Sequence, residues 1–394
     1  MQDEVYMYWL STLYQLGSQR QNQLLEHFGN PREAFEALPE GIRMVSGFTE
    51  NNVHITVRNR NQNQVEYGFH SLERAGIHFI SRFHPDFPSL LAEIPDPPIG
   101  LYYIGSLPDD SLPCVAIIGS RRCSEYGLTI SKSFGSSLAQ KGVVIVSGMA
   151  RGIDGMAHRG ALESNGFTIA VLGCGVDICY PMDNSSLRND IARSGCILSE
   201  YPPGVMPQPH YFPIRNRIIS GLSKIVVVVE ATLKSGTQGT VNEALNQGRE
   251  IMAVPGNITT RYSAGTNALI QQGAEPATCP DDILYVLSMA EIANRRTIAN
   301  NNPSRINSNN KVTASSKTKA NNITNSIANT TVTNPCIAPE EKLVYDTLTF
   351  EPCLFDEIVV RTNSQPQTIQ FILTSLELKG LVEKRPGMRY LRKV

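Results

Sequence analysis

The stretch AIIGSRRCSEYG, residues 116–127, joins an apolar strand to the start of a helix. In α/β proteins this junction commonly binds phosphate, because backbone N–H groups and the helix dipole point at the ligand. A dinucleotide site would carry further glycines there, so that the backbone could approach a pyrophosphate. Here Arg121 and Arg122 follow Gly119 and Ser120 instead, which predicts an anion met by guanidinium groups.

Five more apolar, β-branched runs follow the first one and alternate with helical patterns. Their hydrophobicity is continuous rather than alternating, which is typical of strands buried on both faces of a parallel sheet. We therefore predict an α/β domain over 114–293, with its ligand beyond the carboxyl ends of the strands. The predicted strands are 114–118, 143–147, 168–172, 196–199, 225–230 and 251–254.

The region before this domain divides into two parts. Residues 1–75 have helical apolar spacing broken at Gly17 and at Gly29-Asn30-Pro31, which predicts a small domain of several short helices. Such helices are found in helix-hairpin-helix or sterile-alpha-motif-like modules that bind DNA backbone or protein. The net charge of −7 over 1–113 favours protein contact. Residues 76–113 are rich in proline and are predicted as a connection into the core.

The region after the core also divides in two. Residues 294–339 hold twelve Asn and six basic residues but no acidic residue, and we predict a disordered linker. Residues 340–394 predict helices near 340–350, 354–361 and 366–379, with a two-stranded wing around Pro386-Gly387. This is the pattern of a winged-helix module. Its net charge is zero, so nucleic-acid binding and protein contact both stay open as its use.

Composition predicts a cytoplasmic protein without a metal or cofactor. The sequence has no apolar run of 18 residues, and its first residues lack the basic segment of a signal peptide. The eight cysteines never form a CxxC pair, which argues against a zinc ribbon and fits free thiols in a reducing compartment.

Glycine-rich loops follow most of the predicted strands, and cationic and aromatic residues are distributed among them. No GxxxxGK[ST] motif is present, so the sequence lacks the phosphate loop of nucleotide hydrolases. Cations that follow a phosphate backbone, interleaved with rings on which bases stack, are typical of single-stranded nucleic-acid binding without sequence preference. The cations are Arg121, Arg122, Arg151, Arg215, Arg217, Lys234 and Arg261; the rings are Tyr126, Tyr180, Tyr201, Tyr211, Phe212 and Tyr262.

From about residue 80 to 287 the chain resembles the DNA processing protein A (DprA/Smf) family. The motifs that carry the resemblance are GSRRCSEYG, SGMARGIDGMAHRGAL, GCGVDICYP, FPIRNRIISGLS, VVEATLKSG, QGREIMAVPG and GTNALIQQGA. The resemblance implies an extended Rossmann-like fold, a helical amino-terminal domain and a winged-helix tail. It also implies a homodimer that binds and protects single-stranded DNA and loads RecA recombinase in natural transformation.

The family's Gly-Ser-Arg phosphate loop corresponds to Gly119, Ser120 and Arg121. With the loop residues above, we predict two sets of DNA-binding residues and no catalytic residue. The phosphate-binding set is Gly119, Ser120, Arg121, Arg122, Gly148, Arg151, Gly152, Arg215, Asn216, Arg217, Lys234, Ser235, Gly236 and Thr237; the base-stacking set is Tyr180, Tyr211 and Phe212.

The chain departs from the family pattern at Met182, where some members have a basic residue, and at SGTQGTVNEAL, residues 235–245. The second segment is similar to the GGxGTxxE motif of nucleotide phosphoribohydrolases, which gives an alternative function with Glu243 and Arg151 acting on a nucleoside monophosphate. The competing interpretation is structural: Thr240 caps a helix and Glu243 completes its capping box.

Three other residues have side chains that could act in catalysis, but we interpret their roles as structural. Asp154 and His158, four residues apart, fit an acid–base pair, but we expect Asp154 to cap a helix and His158 to pack against a loop. Cys123 stands near two arginines, which would lower the pKa of an exposed thiol. No base for such a thiol is visible in the sequence.

Overall fold

A computed structural model describes residues 2–289, 339–349, 353–362, 366–379, 381–385 and 389–392. They fall into two compact units, one within Met1–Asn307 and one within Ser308–Val394, and each unit is treated by itself. The predicted linker lies outside the described residues except for its last residue.

The first unit is built on a nine-stranded sheet with the order β1-β2-β6-β5-β4-β3-β7-β8-β9 in the described residues. The strands from β6 to β9 run parallel, as predicted, because helices connect them. Chain order reverses direction at β3, so β3 and the neighbouring β4 and β7 mark the switch point of the sheet. The strands are β1 His78–Ser81, β2 Gly100–Gly105, β3 Cys114–Ile118, β4 Val144–Ser147, β5 Thr168–Val171, β6 Cys196–Ser199, β7 Ile225–Val228, β8 Glu250–Ala253 and β9 Glu275–Pro276.

The segment 76–113, predicted as a connection into the core, also adds two strands to the sheet. It contains β1 and β2, which pair antiparallel with each other, and β2 pairs antiparallel with β6 at the edge of the parallel sheet. The prolines that suggested a connection lie between these strands or after them, where they remove no ladder hydrogen bond. The sheet is therefore mixed and longer than the sequence predicts.

Both faces of the central sheet are covered. Val115 and Ile117 of β3 pack on one face, and Ala116 and Ile118 pack on the other. All four side chains are buried, which explains why the strand reads as a continuous apolar run. The covering helices include α7 Ser89–Ala92, α8 Glu125–Gln140, α9 Ile153–Glu163, α10 Ser185–Ser194, α11 Tyr211–Gly221, α12 Thr237–Asn246, α13 Ala264–Gln271 and α14 at 280–289.

The amino-terminal helical region packs into the same unit. Its helices are interrupted at Gly17 and Gly29, which both have positive φ, and Asn30 caps the following helix as the turn signal predicts. Trp9 is fully buried and donates a hydrogen bond to the Asn59 carbonyl at 3.0 Å. The helices are α1 Gln2–Thr12, α2 Ser18–Phe28, α3 Pro31–Glu36, α4 Pro39–Arg43, α5 Glu50–Arg58 and α6 Gln62–Arg74.

The second unit has the three helices and the wing predicted for a winged helix. Its three-stranded sheet has the order β10-β12-β11, and β11 pairs antiparallel with β12. Ile358, Ile369, Leu373 and Tyr390 form part of its core. Pro386 and Gly387 lie outside the described residues. The elements are α15 Pro339–Thr347, β10 Cys353–Leu354, α16 Phe355–Thr362, α17 Pro366–Leu378, β11 Val382–Arg385 and β12 Arg389–Arg392.

Candidate nucleic-acid interface

A cleft of about 670 Å³ lies beyond the carboxyl ends of the central strands, where the switch point of the sheet predicts a ligand. Loops after β3, β4, β5, β6, β7 and β8 contribute to it, so residues far apart in sequence meet there. The predicted residues that line it are Gly119, Ser120, Arg121, Arg122, Tyr180, Phe212, Arg215, Asn216, Ser235, Gly236 and Thr237, and Arg261 and Tyr262 join them.

The loop after β3 is anchored by Glu230. The Ser120 N–H donates to the Glu230 carbonyl at 2.8 Å, and the Glu230 carboxylate accepts from the Ser124 N–H at 2.8 Å and from its hydroxyl at 2.5 Å. Ser124 in turn caps α8. The protein's own carboxylate therefore lies at the helix N-terminus, where the sequence predicted phosphate. Arg121 and Arg122 remain exposed on the loop and supply positive charge to the cleft.

Phe212, in the first turn of α11, is the point at which charged and aromatic groups meet. The guanidinium carbon of Arg121 lies 5.4 Å from the centre of its ring, and that of Arg215 lies 6.0 Å away. The Tyr180 ring lies 5.4 Å from the Phe212 ring at an interplanar angle of 35°. The geometry brings together cations predicted to bind phosphate and rings predicted to stack on bases.

Arg215 is a buried cation in the wall of the cleft. Its side chain is about nine-tenths or more buried, since the residue is 4% exposed, and its Nη1 donates to the carbonyls of Gly148, at 2.9 Å, and Val171. Its Nε has no hydrogen-bond partner among the described residues. Burial lowers the pKa of this guanidinium to about 10. An anion in the cleft would offset the cost of burying this charge.

The loop after β4 is held from both sides of Gly148. The Gly148 N–H donates to the buried Asp154 carboxylate at 3.2 Å, while its carbonyl accepts from Arg215. Gly152, with φ of 78°, lies close to the Ser120 and Arg121 carbonyls, which a Cβ would approach to 2.6 and 2.8 Å. This second loop therefore packs directly against the first one.

Asp154 and His158 both make hydrogen bonds within the fold, but not the contacts that the sequence predicted. Helix α9 begins at Ile153 with Gly152 as its cap residue, so Asp154 lies in the first turn and bonds back to Gly148 instead of capping the helix. His158 Nδ1 lies 2.6 Å from the Thr168 hydroxyl on β5, not against a loop. Burial raises the pKa of Asp154 and lowers that of His158 to about 3.

Arg151 lies beside a smaller cavity of about 300 Å³ that shares Arg121, Tyr180 and Phe212 with the cleft. Its guanidinium forms an ion pair with Asp183 at 2.6 Å, and both side chains are exposed to solvent. Met182 also lines this cavity. It stands at the position where the sequence departs from the family pattern, because some members have a basic residue there. A phosphate that binds Arg151 would compete with Asp183 for it.

Two predicted DNA-binding residues point elsewhere. Arg217 is 5% exposed and forms ion pairs with Glu200 at 2.7 Å and with Asp96 at 3.2 Å, so its guanidinium is not free to bind phosphate. Tyr211 does not line the cleft; its ring packs on that of Tyr201 at 4.4 Å. The prediction for Arg217 was wrong because its guanidinium is buried and paired with two carboxylates, whereas Tyr211 belongs to an aromatic cluster with Tyr14 and Tyr201 outside the cleft.

The segment after β7 also differs from the structure predicted for it. Helix α12 begins at Thr237, and Thr240 is buried inside it and lines the cleft, so the predicted capping box with Glu243 does not form. Glu243 is half-buried and does not line the cleft. Lys234 is exposed next to Ser235 but does not line the cleft either.

The thiol of Cys123 does not have the lowered pKa that its neighbours suggested. Partial burial raises its pKa, and Glu230 raises it further. Within the described ranges, no group of three or more His, Cys, Asp or Glu residues could hold a metal ion. No helix in the described part of the chain is long and apolar enough to cross a membrane.

A Rossmann-like sheet with an arginine-bearing cleft at its switch point, in a chain that also has a winged-helix unit, defines a class of α/β protein whose ligand site is expected at the strand ends. Sequence comparison narrows this class. A profile described as DNA recombination-mediator protein A matches residues 78–288, and one described as DprA winged helix domain matches residues 330–388. The chain belongs to the DNA recombination-mediator protein A (DprA/Smf) family.

Individual relatives agree with this assignment. The chain is 33% identical to protein Smf of Synechocystis over 98% of both chains. It is 43% identical to the DNA processing protein DprA of Streptococcus pneumoniae over 50% of this chain and 70% of that protein. The X-ray structure of the S. pneumoniae DprA matches with a TM-score of 0.62 and 35% identity, over 71% of this chain and 97% of that one.

Proposed function

We propose that this chain binds single-stranded DNA in the cleft without sequence preference. The observation that carries the proposal is the convergence of Arg121 and Arg215 on the Phe212 ring. Cations beside a ring can hold the phosphate and the base of a nucleotide together, and neither contact depends on which base is present. The loops that supply these groups come from one sheet edge, which suits a strand that crosses the cleft.

In the cell, the bound strand would be passed on rather than cut. Membership in a recombination-mediator family supports a role in which a homodimer in the cytoplasm protects incoming DNA and loads RecA recombinase onto it in natural transformation. We propose no catalytic step, since Glu243, the candidate hydrolytic carboxylate, does not line the cleft. The winged-helix unit would bind DNA or protein.

Binding is tested with fluorescently labelled oligonucleotides. We expect single strands to bind more tightly than duplexes, and affinity to rise with length until the cleft is filled. If four to six phosphates are contacted, log K should fall against log salt with a slope of roughly −3 to −4. An affinity that is independent of salt, or that depends strongly on base sequence, would contradict the proposal. RecA loading is tested by whether the protein shortens the lag of RecA's DNA-dependent ATPase.

A further inference from the structure

Helix α11 has one face toward the cleft and another toward the amino-terminal helical region. Phe212, Arg215 and Asn216 line the cleft, and their i, i+3, i+4 spacing places them on one face of the helix. Arg217 points away from this face into buried ion pairs, and the Tyr211 ring packs on those of Tyr14 and Tyr201. What these two residues contact therefore sets where the cleft-lining residues stand.

An aromatic cluster connects the start of α11 to the helical region. The Tyr14 ring, from the segment between α1 and α2, lies 6.4 Å from that of Tyr211 and 6.3 Å from that of Tyr201, nearly perpendicular to both. Tyr201 and Tyr211 are themselves 4.4 Å apart. Edge-to-face pairs at these distances are attractive and depend on orientation. Tyr14 thus contacts the residue that directly precedes Phe212 in the chain.

A buried ion-pair network makes a second connection between α11 and the helical region. It is centred on Arg217, which follows Tyr211 by more than one helical turn. Arg217 pairs with both oxygens of Glu200 and donates to the carboxylate and the carbonyl of Asp96. Asp96 also accepts from the Ser18 hydroxyl at 2.5 Å and from the Asn22 amide at 3.3 Å, both on α2. Helix α2 and helix α11 therefore share one carboxylate. Removing Arg217 would leave the Glu200 and Asp96 carboxylates without their shared cation, and neutralising Asp96 would leave Arg217 paired with Glu200 alone.

We propose that Tyr14 and Asp96 are positioning residues for DNA binding. They fix the orientation of α11, and α11 presents Phe212 and Arg215 to the strand. The amino-terminal helical region would then belong to the DNA-binding apparatus, although its acidic charge would repel DNA and none of its residues lines the cleft. This inference rests on the proposed function, because its readout is affinity for single-stranded DNA.

The test compares three tyrosine variants. Tyr14→Ala removes two ring contacts to the core, and we expect the affinity for a single-stranded oligonucleotide to fall about fivefold. Tyr14→Phe keeps the ring, and since the Tyr14 hydroxyl bonds no described residue, we expect wild-type affinity. Tyr6→Ala is the matched control: Tyr6 is a half-buried tyrosine of the same region, whose ring contacts Phe35 at 5.3 Å and not α11. We expect its affinity to stay within twofold of wild type.

The thermal unfolding midpoint of each variant separates positioning from general destabilisation. If Tyr14→Ala and Tyr6→Ala weaken binding equally, or if Tyr14→Phe is as weak as Tyr14→Ala, the inference is overturned. If Tyr14→Ala fails to fold, the Asp96→Asn variant tests the inference instead. This variant keeps the shape of the side chain but loses the charge shared by α2 and α11. An unchanged affinity for single-stranded DNA would overturn the inference. A wild-type chain that binds no single-stranded DNA would instead refute the proposed function.

A double-mutant cycle gives the sharpest measurement. If Tyr14 acts through the position of α11, its effect should shrink when Phe212 is already replaced by alanine, because one of the groups that α11 positions is then absent. We expect the double variant to bind better than the product of the two single losses predicts. Additive losses would mean that Tyr14 does not act on the ring.

Discussion

The guanidinium carbon of Arg121 lies 5.4 Å from the centre of the Phe212 ring, although the two residues are 91 positions apart in the sequence. This contact joins the loop after β3 to the helix α11. It brings the predicted phosphate loop and the predicted stacking ring into one place, as the proposed binding of a nucleotide by both requires. The first prediction concerns the charged partner of this pair.

Replacing Arg121 by alanine should weaken binding to all single-stranded sequences by a similar factor, about tenfold at low salt. One phosphate contact is lost, so the slope of log K against log salt should become less steep by about one. The measurement is anisotropy titration over a salt series with oligonucleotides of different base composition. Arg193→Ala is the control, since Arg193 is an exposed arginine on α10 that does not line the cleft. A loss that differs strongly among sequences would argue against a phosphate contact.

Replacing Asp183 by asparagine should tighten DNA binding about two- to threefold. Asp183 pairs with Arg151 at 2.6 Å, so a phosphate that binds Arg151 has to displace it, and exposed ion pairs of this kind contribute little stability. The gain should disappear at high salt, where the charges are screened. Asp190→Asn provides a matched control, because it releases Arg193 away from the cleft. If both variants bind alike, Arg151 contacts no phosphate.

Stability should fall as the pH decreases from about 6.5, in part because of His158. Its pKa in the folded chain is about 3, below the value of about 6.5 in an unfolded chain, so the unfolded state binds a proton in this interval that the folded state does not. The contribution amounts to a loss of up to about 2 kcal/mol in the free energy of unfolding between pH 7 and pH 5. Denaturant unfolding at both pH values, with His158→Asn for comparison, measures it. The variant should lose less stability over the interval, and equal losses would assign the effect to other groups.

The hydrolase alternative makes a different prediction, for Glu243. We expect no release of free base from any nucleoside monophosphate, and little change in DNA affinity on Glu243→Gln, because Glu243 does not line the cleft. A catalytic carboxylate would behave otherwise: the wild type would release base, and the glutamine variant would lose roughly 10²-fold or more of that rate. Chromatographic detection of adenine from adenosine monophosphate distinguishes the two.

Six of the seven parallel strands in the described residues could be predicted from sequence because burial on both faces leaves a continuous apolar run; the seventh, β9, has only two residues and was missed. Strands β1 and β2 were missed because they are short, lie in a segment with many prolines and pair at the edge of the sheet. Among the predicted site residues, Arg217 could have been excluded from the cleft by helical periodicity. Residues two positions apart on a helix point in nearly opposite directions, so Arg215 and Arg217 could not both face the cleft.

Other features depended on contacts that no local pattern records. Glu230 ends an apolar run, and its identity gave no hint that its carboxylate would bond to Ser124 at the start of α8, 106 residues earlier. The ion pair between Arg151 and Asp183 likewise joins two loops. The sequence indicated which residues carry charge, whereas their partners depended on the packing of the loops.

The two ends of the large sheet limit how copies of this chain could join. At one end β9 is two residues long and includes Pro276, which has no N–H to offer a further strand. At the other end β1 has four residues and packs near α1 and α6. Neither end offers the long, open row of backbone donors and acceptors that lets sheets merge between molecules. A contact between two copies at either end of this sheet would therefore rely on side chains, and a point substitution could weaken it while leaving the hydrogen bonds between strands in place.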